Sequence, residues 1–151
     1  MCIENGDPEL WITMDGCKAI RLTKNVVLTQ KDIREVQLAK AAIRAGIELM
    51  IRYYRVSAGD IEAVYLAGAF GNYLDPVSAC ALGMFPPKIL DRIVSIGNAA
   101  GEGAKRVALC ETEFERSRRL ARETEFLELA SLSEFQDCFV DCLSFSEDMM
   151  E

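Results

Sequence analysis

An α/β fold is predicted by two strand–turn–helix units in succession, with a long amphipathic helix ahead of them. The first unit is Asp60-Ile61-Glu62-Ala63-Val64-Tyr65-Leu66, a nearly unbroken apolar run that ends in Ala67-Gly68-Ala69-Phe70-Gly71. A run of this kind suits a central strand covered on both faces, because a half-exposed strand alternates. The second unit is Ile93-Val94-Ser95-Ile96, then the small-residue turn Gly97-Asn98-Ala99-Ala100-Gly101-Glu102-Gly103-Ala104 and the helix-forming Lys105 to Leu109. Glycine and alanine at both strand ends leave main chain free to bend and to lie close to a neighbour. Ligands of open α/β sheets sit outside the carboxyl ends of the strands, so these turns are the expected binding crevice. The competing expectation for each turn is a tight connection that binds nothing.

Local signals mark each element in turn. Leu10 to Met14 and Ala19 to Leu22 flank Asp15-Gly16, a type I′ turn signal, so a hairpin is expected, with Val26 to Leu28 as a third strand. Thr29 followed by Asp32 reads as a capping box with the shorter carboxylate. Beyond it Ile33, Val36, Ile43, Ile47, Met50 and Tyr54 recur at helical spacing, which predicts a helix over 29–55. Gly46 within it costs roughly 1 kcal/mol against alanine and implies close contact on that face. Asp75-Pro76 opens a short helix through Leu82, broken by Gly83 and Pro86-Pro87, and Lys88 to Asp91 forms one further turn. The Gly101 to Leu109 helix is expected to run across Cys110 and Glu111. Glu113 to Arg122 reads as a solvated helix with i,i+4 ion pairs, ahead of a basic site for an acidic partner. Phe126 to Leu129 is an expected edge strand. Ser133 is the expected cap of a last helix with Phe135, Phe139 and Leu143 on one apolar face. Residues 146–151 are expected to fray.

Composition sets limits on function. The 151 residues, half of them hydrophobic, suffice for one domain or part of a larger one. A formal net charge of −7 without histidine argues against non-specific nucleic-acid binding, which needs a basic face. No run approaches the roughly 18 apolar residues of a membrane span. The opening Met1 to Asp7 lacks the basic and apolar stretches of a secretory signal, so a cytoplasmic location is expected. Of six cysteines, Cys2, Cys17, Cys80 and Cys110 are isolated, while Cys138 and Cys142 share a helix face. Small buried side chains in a reducing compartment are the expectation, ahead of a metal site at Cys138 and Cys142.

Three motifs in order carry a resemblance: Thr29-Gln30-Lys31-Asp32-Ile33, Val64 to Tyr73, and Ile96 to Ala104. Over about residues 20 to 145 the chain resembles the C-terminal part of the ATP-dependent reductive activators of corrinoid proteins. These are iron–sulfur proteins with a large domain of the actin, sugar-kinase and heat-shock-chaperone type. The resemblance implies a partial actin-like ATPase (ribonuclease H-like) fold, a mixed sheet with packed helices. On that reading 1–28 is a β-rich hairpin segment, 29–145 the C-terminal lobe of the ATPase domain and 146–151 a tail. It also implies that Ala67, Gly68, Ala69, Phe70 and Gly71 form the adenosine motif, with the Gly97 to Ala104 segment packed behind it.

Departures from the family pattern limit the function it implies. The family's [2Fe–2S] domain and its phosphate-binding and Mg²⁺-binding hairpins have no counterpart in this sequence. ATP with Mg²⁺ and a [2Fe–2S] cluster are therefore cofactors implied for a parent protein, and no catalytic residue is assigned. Asp75 and Glu102 lie near the two turns and read as helix caps rather than catalytic groups. The implied role is to contribute the adenosine side of a nucleotide site in reductive activation of a corrinoid protein partner. The alternative is a docking or dimerisation module that binds no nucleotide, supported by the Arg-rich helix and the Phe135, Phe139 and Leu143 stripe.

Overall fold

The computed structural model describes residues 10–14 and 16–145. Asp15 of the expected turn, Cys2 and the 146–151 tail lie outside the described residues. Strands β1 (Trp11–Met14), β2 (Cys17–Arg21) and β3 (Val27–Thr29) form an antiparallel sheet in that order. Met14 pairs with Cys17, which leaves a two-residue connection as the hairpin pattern requires. Two further strands, β4 (Val64–Ala67) and β5 (Ile93–Gly97), pair in parallel. The first sheet is thus antiparallel and the second parallel.

Helix α1 (Gln30–Tyr54) starts where Thr29 and Asp32 close a capping box. The Thr29 amide and hydroxyl donate to the Asp32 carboxylate at 2.8 and 2.6 Å, and the Asp32 amide returns a bond to the hydroxyl at 3.2 Å. The helix ends at Arg55, in the left-handed region, whose amide reaches back to the Arg52 carbonyl. Its buried side differs from the expected stripe. Val36, Met50 and Tyr54 are exposed, whereas Ala41, Ala45, Gly46 and Leu49 are buried. Small side chains win there because two layers press on the helix. Leu129 Cδ1 would lie 3.3 Å from a Cβ at Gly46, the close contact that the glycine implied.

One core joins Leu66, Ala79, Cys80, Met84, Phe85 and Ile89 to Ile43 and Ile47 of α1. A second joins Ala45, Leu49 and Cys138 to Leu129, Leu132, Phe135 and Phe139. The Phe135 and Phe139 rings stack at 6.1 Å. Helix α6 (Phe135–Asp141) thus spends its apolar face on α1. Phe135 and Phe139 of the expected stripe are thus partly buried inside the fold. Lys40, only 2 % exposed, donates to the Ser144 carbonyl and faces the Phe145 ring at 5.0 Å. Gln37 donates to the Leu143 carbonyl at 3.2 Å. Together these two side chains satisfy carbonyls just past α6, which explains a cation on an otherwise alanine-lined face.

Other expectations are corrected. Tyr65 is 65 % exposed, so β4 is not covered on both faces; in a two-stranded sheet its outward face meets solvent. Residues 126–128 form no strand, and a 3₁₀ turn over Leu129–Ser131 follows. Cys110 is extended and breaks the expected single helix into α4 (Ala99–Leu109) and α5 (Glu111–Glu123). Its thiol and the Thr112 hydroxyl lie 3.0 Å apart. That contact and the amides of α5 favour the thiolate and hold Cys110 below the usual thiol range. Ser133 bonds the Glu134 carboxylate and does not cap α6. Cys17 and Cys110 are exposed, whereas Cys80 and Cys138 are buried as expected.

Helix α5 carries its ion pairs mainly at i,i+3, Arg116–Glu113 at 3.7 Å and Arg118–Glu115 at 3.5 Å, with one i,i+4 pair, Arg119–Glu123 at 3.9 Å. These pairs are exposed and contribute little individually.

Candidate functional site

The two small-residue segments meet because β4 and β5 are direct neighbours. Val64, Tyr65 and Leu66 pair with Ile93, Val94 and Ser95, and after a one-residue shift Ala67 pairs with Gly97. Both strands then turn through glycines in the left-handed region, Gly68 at φ +71° and Gly97 at φ +60°. Side chains rarely adopt that backbone, so glycine is the natural occupant at each tip. A Cβ at Gly68 would meet nothing within 4 Å, so the tip opens onto free space.

The stretch expected as a turn is mostly helix. Helix α2 (Gly68–Tyr73) begins directly at the strand end, capped by Ala67 without a side-chain bond. Gly71 is buried, and a Cβ there would lie 2.2 Å from the Leu66 carbonyl oxygen. Glycine at 71 therefore lets α2 fold back against its own strand. The Ser95 hydroxyl, from β5, donates to the Gly71 carbonyl at 2.5 Å and ties α2 to the second strand. Ala67, Ala69 and Phe70 are exposed at this tip, and Gly68 is half-buried. All five expected site residues thus lie at one corner, with the Phe70 ring half exposed beside the two alanines.

Behind the corner, α4 opens with the Asn98 side chain accepting from the Gly101 amide at 3.0 Å. A Cβ at Gly101 would sit 2.5 Å from Asn98 Nδ2, so the glycine makes room for the cap. Gly103, by contrast, has nothing within 4 Å of its Cβ position, and α4 buries no residue. The expectation that its small residues pack on the sheet is not met among the described residues.

Asp75 accepts from the Ser78 amide and hydroxyl at 2.8 and 2.6 Å, at the start of α3 (Pro76–Ala81). These bonds hold its carboxyl below the usual range, as befits a cap. Glu102 pairs with Lys105 at 2.5 Å on the exposed face of α4. Neither points to chemistry. Sequence reasoning missed Ser95 and Asn72, which complete the corner: Asn72 Oδ1 lies 3.8 Å from where a Gly97 Cβ would stand. The signal available was the polar residue in an otherwise apolar strand.

The fit to the implied cofactors is uneven. For adenosine, the two positive-φ glycines leave no side chain at either of the paired strand tips. No group of three or more Cys, Asp or Glu side chains among the described residues is placed to hold a metal ion or cluster. That includes Cys138 and Cys142, and burial pushes the Cys142 thiol up. A cavity of about 280 Å³ lined by Lys40, Arg44, Cys138 and Cys142 lies between α1 and α6, apart from the strand tips. Among the described residues no helix is long and apolar enough to cross a membrane.

Comparison with known proteins gives consistent matches. The chain is 38 % identical over 127 residues to the corrinoid activation enzyme RamQ of Eubacterium limosum, covering 84 % of this chain and 21 % of that protein. It is 27 % identical over 147 residues to the [Co(II) methylated amine-specific corrinoid protein] reductase of Methanosarcina barkeri, covering 96 % of this chain and 27 % of that protein. Among solved structures, a reductive activator for corrinoid, iron–sulfur protein superposes with a TM-score of 0.80 at 26 % identity, over 92 % of this chain and 23 % of that one. The chain therefore spans about a quarter of the length of the relatives it matches. Residues 3–151 match the family described as the C-terminal domain of RACo, the ASKHA domain, and the chain belongs to that family.

Proposed function

We propose that this chain is the C-terminal lobe of a cytoplasmic, ATP-dependent reductive activator of a corrinoid protein, and that Ala67 to Gly71 contribute the adenosine side of its nucleotide site. The observation that carries the reading is the pairing of two left-handed glycine tips, Gly68 and Gly97, on adjacent parallel strands. The named relatives, two activators and a reductase of corrinoid proteins, support the partner class. On this reading ATP with Mg²⁺ would supply the conformational drive and a [2Fe–2S] centre elsewhere in the parent protein would supply the electron, while this chain's residues 67 to 71 would hold only the adenosine. Cluster, phosphate and Mg²⁺ ligands belong to other parts of the parent protein on this reading. The share of this chain is positional: the Leu66–Gly71 contact and the Ser95 bond fix α2, so main chain at 67 to 71 lines the corner.

Titration of the full-length protein with ATP and Mg²⁺ tests this. Gly68→Trp fills the corner but also strains a left-handed position. Ala69→Trp, on an exposed helical site, fills it without that strain. Loss of ATP binding in both, with the fold intact by circular dichroism, is expected; unchanged affinity in Ala69→Trp removes the assignment.

A second reading, a docking or dimerisation module without nucleotide, draws on a different observation. Tyr65 pairs with Val94, and these two with Ile96 are 65, 47 and 42 % exposed on the β4–β5 pair. Sedimentation of the protein and of a Tyr65→Lys variant separates the readings: a dimer abolished by the variant, with no ATP binding, favours docking.

A further inference from the structure

We propose that Cys138 and Cys142 form a two-coordinate site for a soft univalent cation, copper(I) in chemical type, with the Lys40 ammonium balancing its charge. The two cysteines stand one helical turn apart, since the Cys142 amide still donates to the Cys138 carbonyl at 3.1 Å where α6 ends. Both line the cavity of about 280 Å³ between α1 and α6, which Lys40 and Arg44 also line. Four helical positions rise about 6 Å, whereas the Cβ atoms of a disulfide stand roughly 4 Å apart. A direct sulfur–sulfur bond would therefore bend the helix end, but an ion set between the sulfurs fills the gap.

Donor set and charge together choose the ion. Zinc takes four ligands, and no third Cys, Asp or Glu joins the pair among the described residues. Two thiolates alone suit a soft cation of single charge. Lys40 is buried, and its partners are the Ser144 carbonyl and the Phe145 ring. Of the carboxylates lining the cavity, Glu48 pairs with Arg44 at 2.8 Å and Asp141 is exposed. A buried ammonium is costly without a negative partner. A univalent cation held by two thiolates carries one net negative charge and supplies that partner. Burial depresses the Lys40 pKa, and negative charge at Cys142 raises it again. Burial, and then the Cys138 thiol, push the Cys142 thiol up, so it keeps its proton at neutral pH until a cation displaces it. Binding thus exchanges two thiol protons, released to solvent, for one cation.

The test titrates reduced full-length protein with copper(I) under argon, in competition with a chromophoric copper(I) chelator. Wild-type protein is expected to take up one more tightly held equivalent than Cys138→Ala or Cys142→Ala, with X-ray absorption showing two sulfur neighbours around it. Cys142 is only half-buried, so Cys142→Ala is expected to keep its circular dichroism and melting. Lys40→Gln keeps a donor for the Ser144 carbonyl but loses the charge, and is expected to weaken the site roughly 10–100-fold. Equal uptake by wild type and Cys142→Ala, or an unchanged affinity in Lys40→Gln, overturns the proposal. Uptake lost only when the exposed Cys17 and Cys110 are replaced by serine overturns it as well.

Discussion

At position 71 a single methyl group has nowhere to go, since the Leu66 carbonyl would sit 2.2 Å from it. Backbone cannot step aside as a flexible side chain does, so Gly71→Ala must displace α2 and is expected to cost about 2–3 kcal/mol. Gly103 is the contrasting case, an exposed helical glycine with open space around its Cβ position. Gly103→Ala is expected to stabilise by about 1 kcal/mol through helix propensity alone. Urea denaturation of both variants checks the pair, and a loss of stability in Gly103→Ala would reveal a surface pressed on α4. Acid sensitivity also resides in single residues. Hydroxyl and then amide bonds from Thr29, Ser57 and Ser78 hold Asp32, Asp60 and Asp75 below the usual carboxylate range. Because their folded pKa values are depressed, their stabilisation is present above about pH 4 and is lost as pH falls through the folded values. A triple Asp→Asn variant should flatten the acid limb of the stability curve, and an unchanged limb would assign it to other groups.

Among the elements, the connection from α1 into β4 depends on one side chain from outside it. Arg92, just before β5, donates to the carbonyls of Ala58, Gly59 and Ile61 at 3.2, 2.9 and 2.5 Å. It therefore sets where β4 begins relative to its partner strand. Arg92→Met leaves three acceptors without their donor and should lower stability by about 2 kcal/mol. It should also raise amide exchange at residues 58–61 first; uniform exchange across the chain would argue against a local role. Local pattern made several elements legible. The Thr29–Asp32 box and the Asp75-Pro76 start each carry their own hydrogen-bonding logic, and both form where expected. Elements that depend on distant partners were not legible in the same way. Phe126 to Leu129 has strand composition but no strand beside it, and the helix break at Cys110 has no glycine or proline to announce it.

For the molecule as a whole, class and motif order were readable because strand, glycine turn and helix recur twice in sequence. The proposed site was readable only as a strand end: the five expected residues lie together there, but the neighbouring Ser95 and Asn72 required the pairing of β4 with β5. Burial was the least legible level. The apolar run at 61–66 promised two covered faces, and the two-stranded sheet covers one. The long reach of Lys40 to Ser144, 104 positions apart, and the seat of Phe135 and Phe139 on Ala45 carry a consequence for biosynthesis. A ribosome adds roughly 5–20 residues each second, so α1 waits on the order of 5–20 s for its last cover to emerge. During that interval the alanine face of α1 is naked, and holdase chaperones have their best opportunity there.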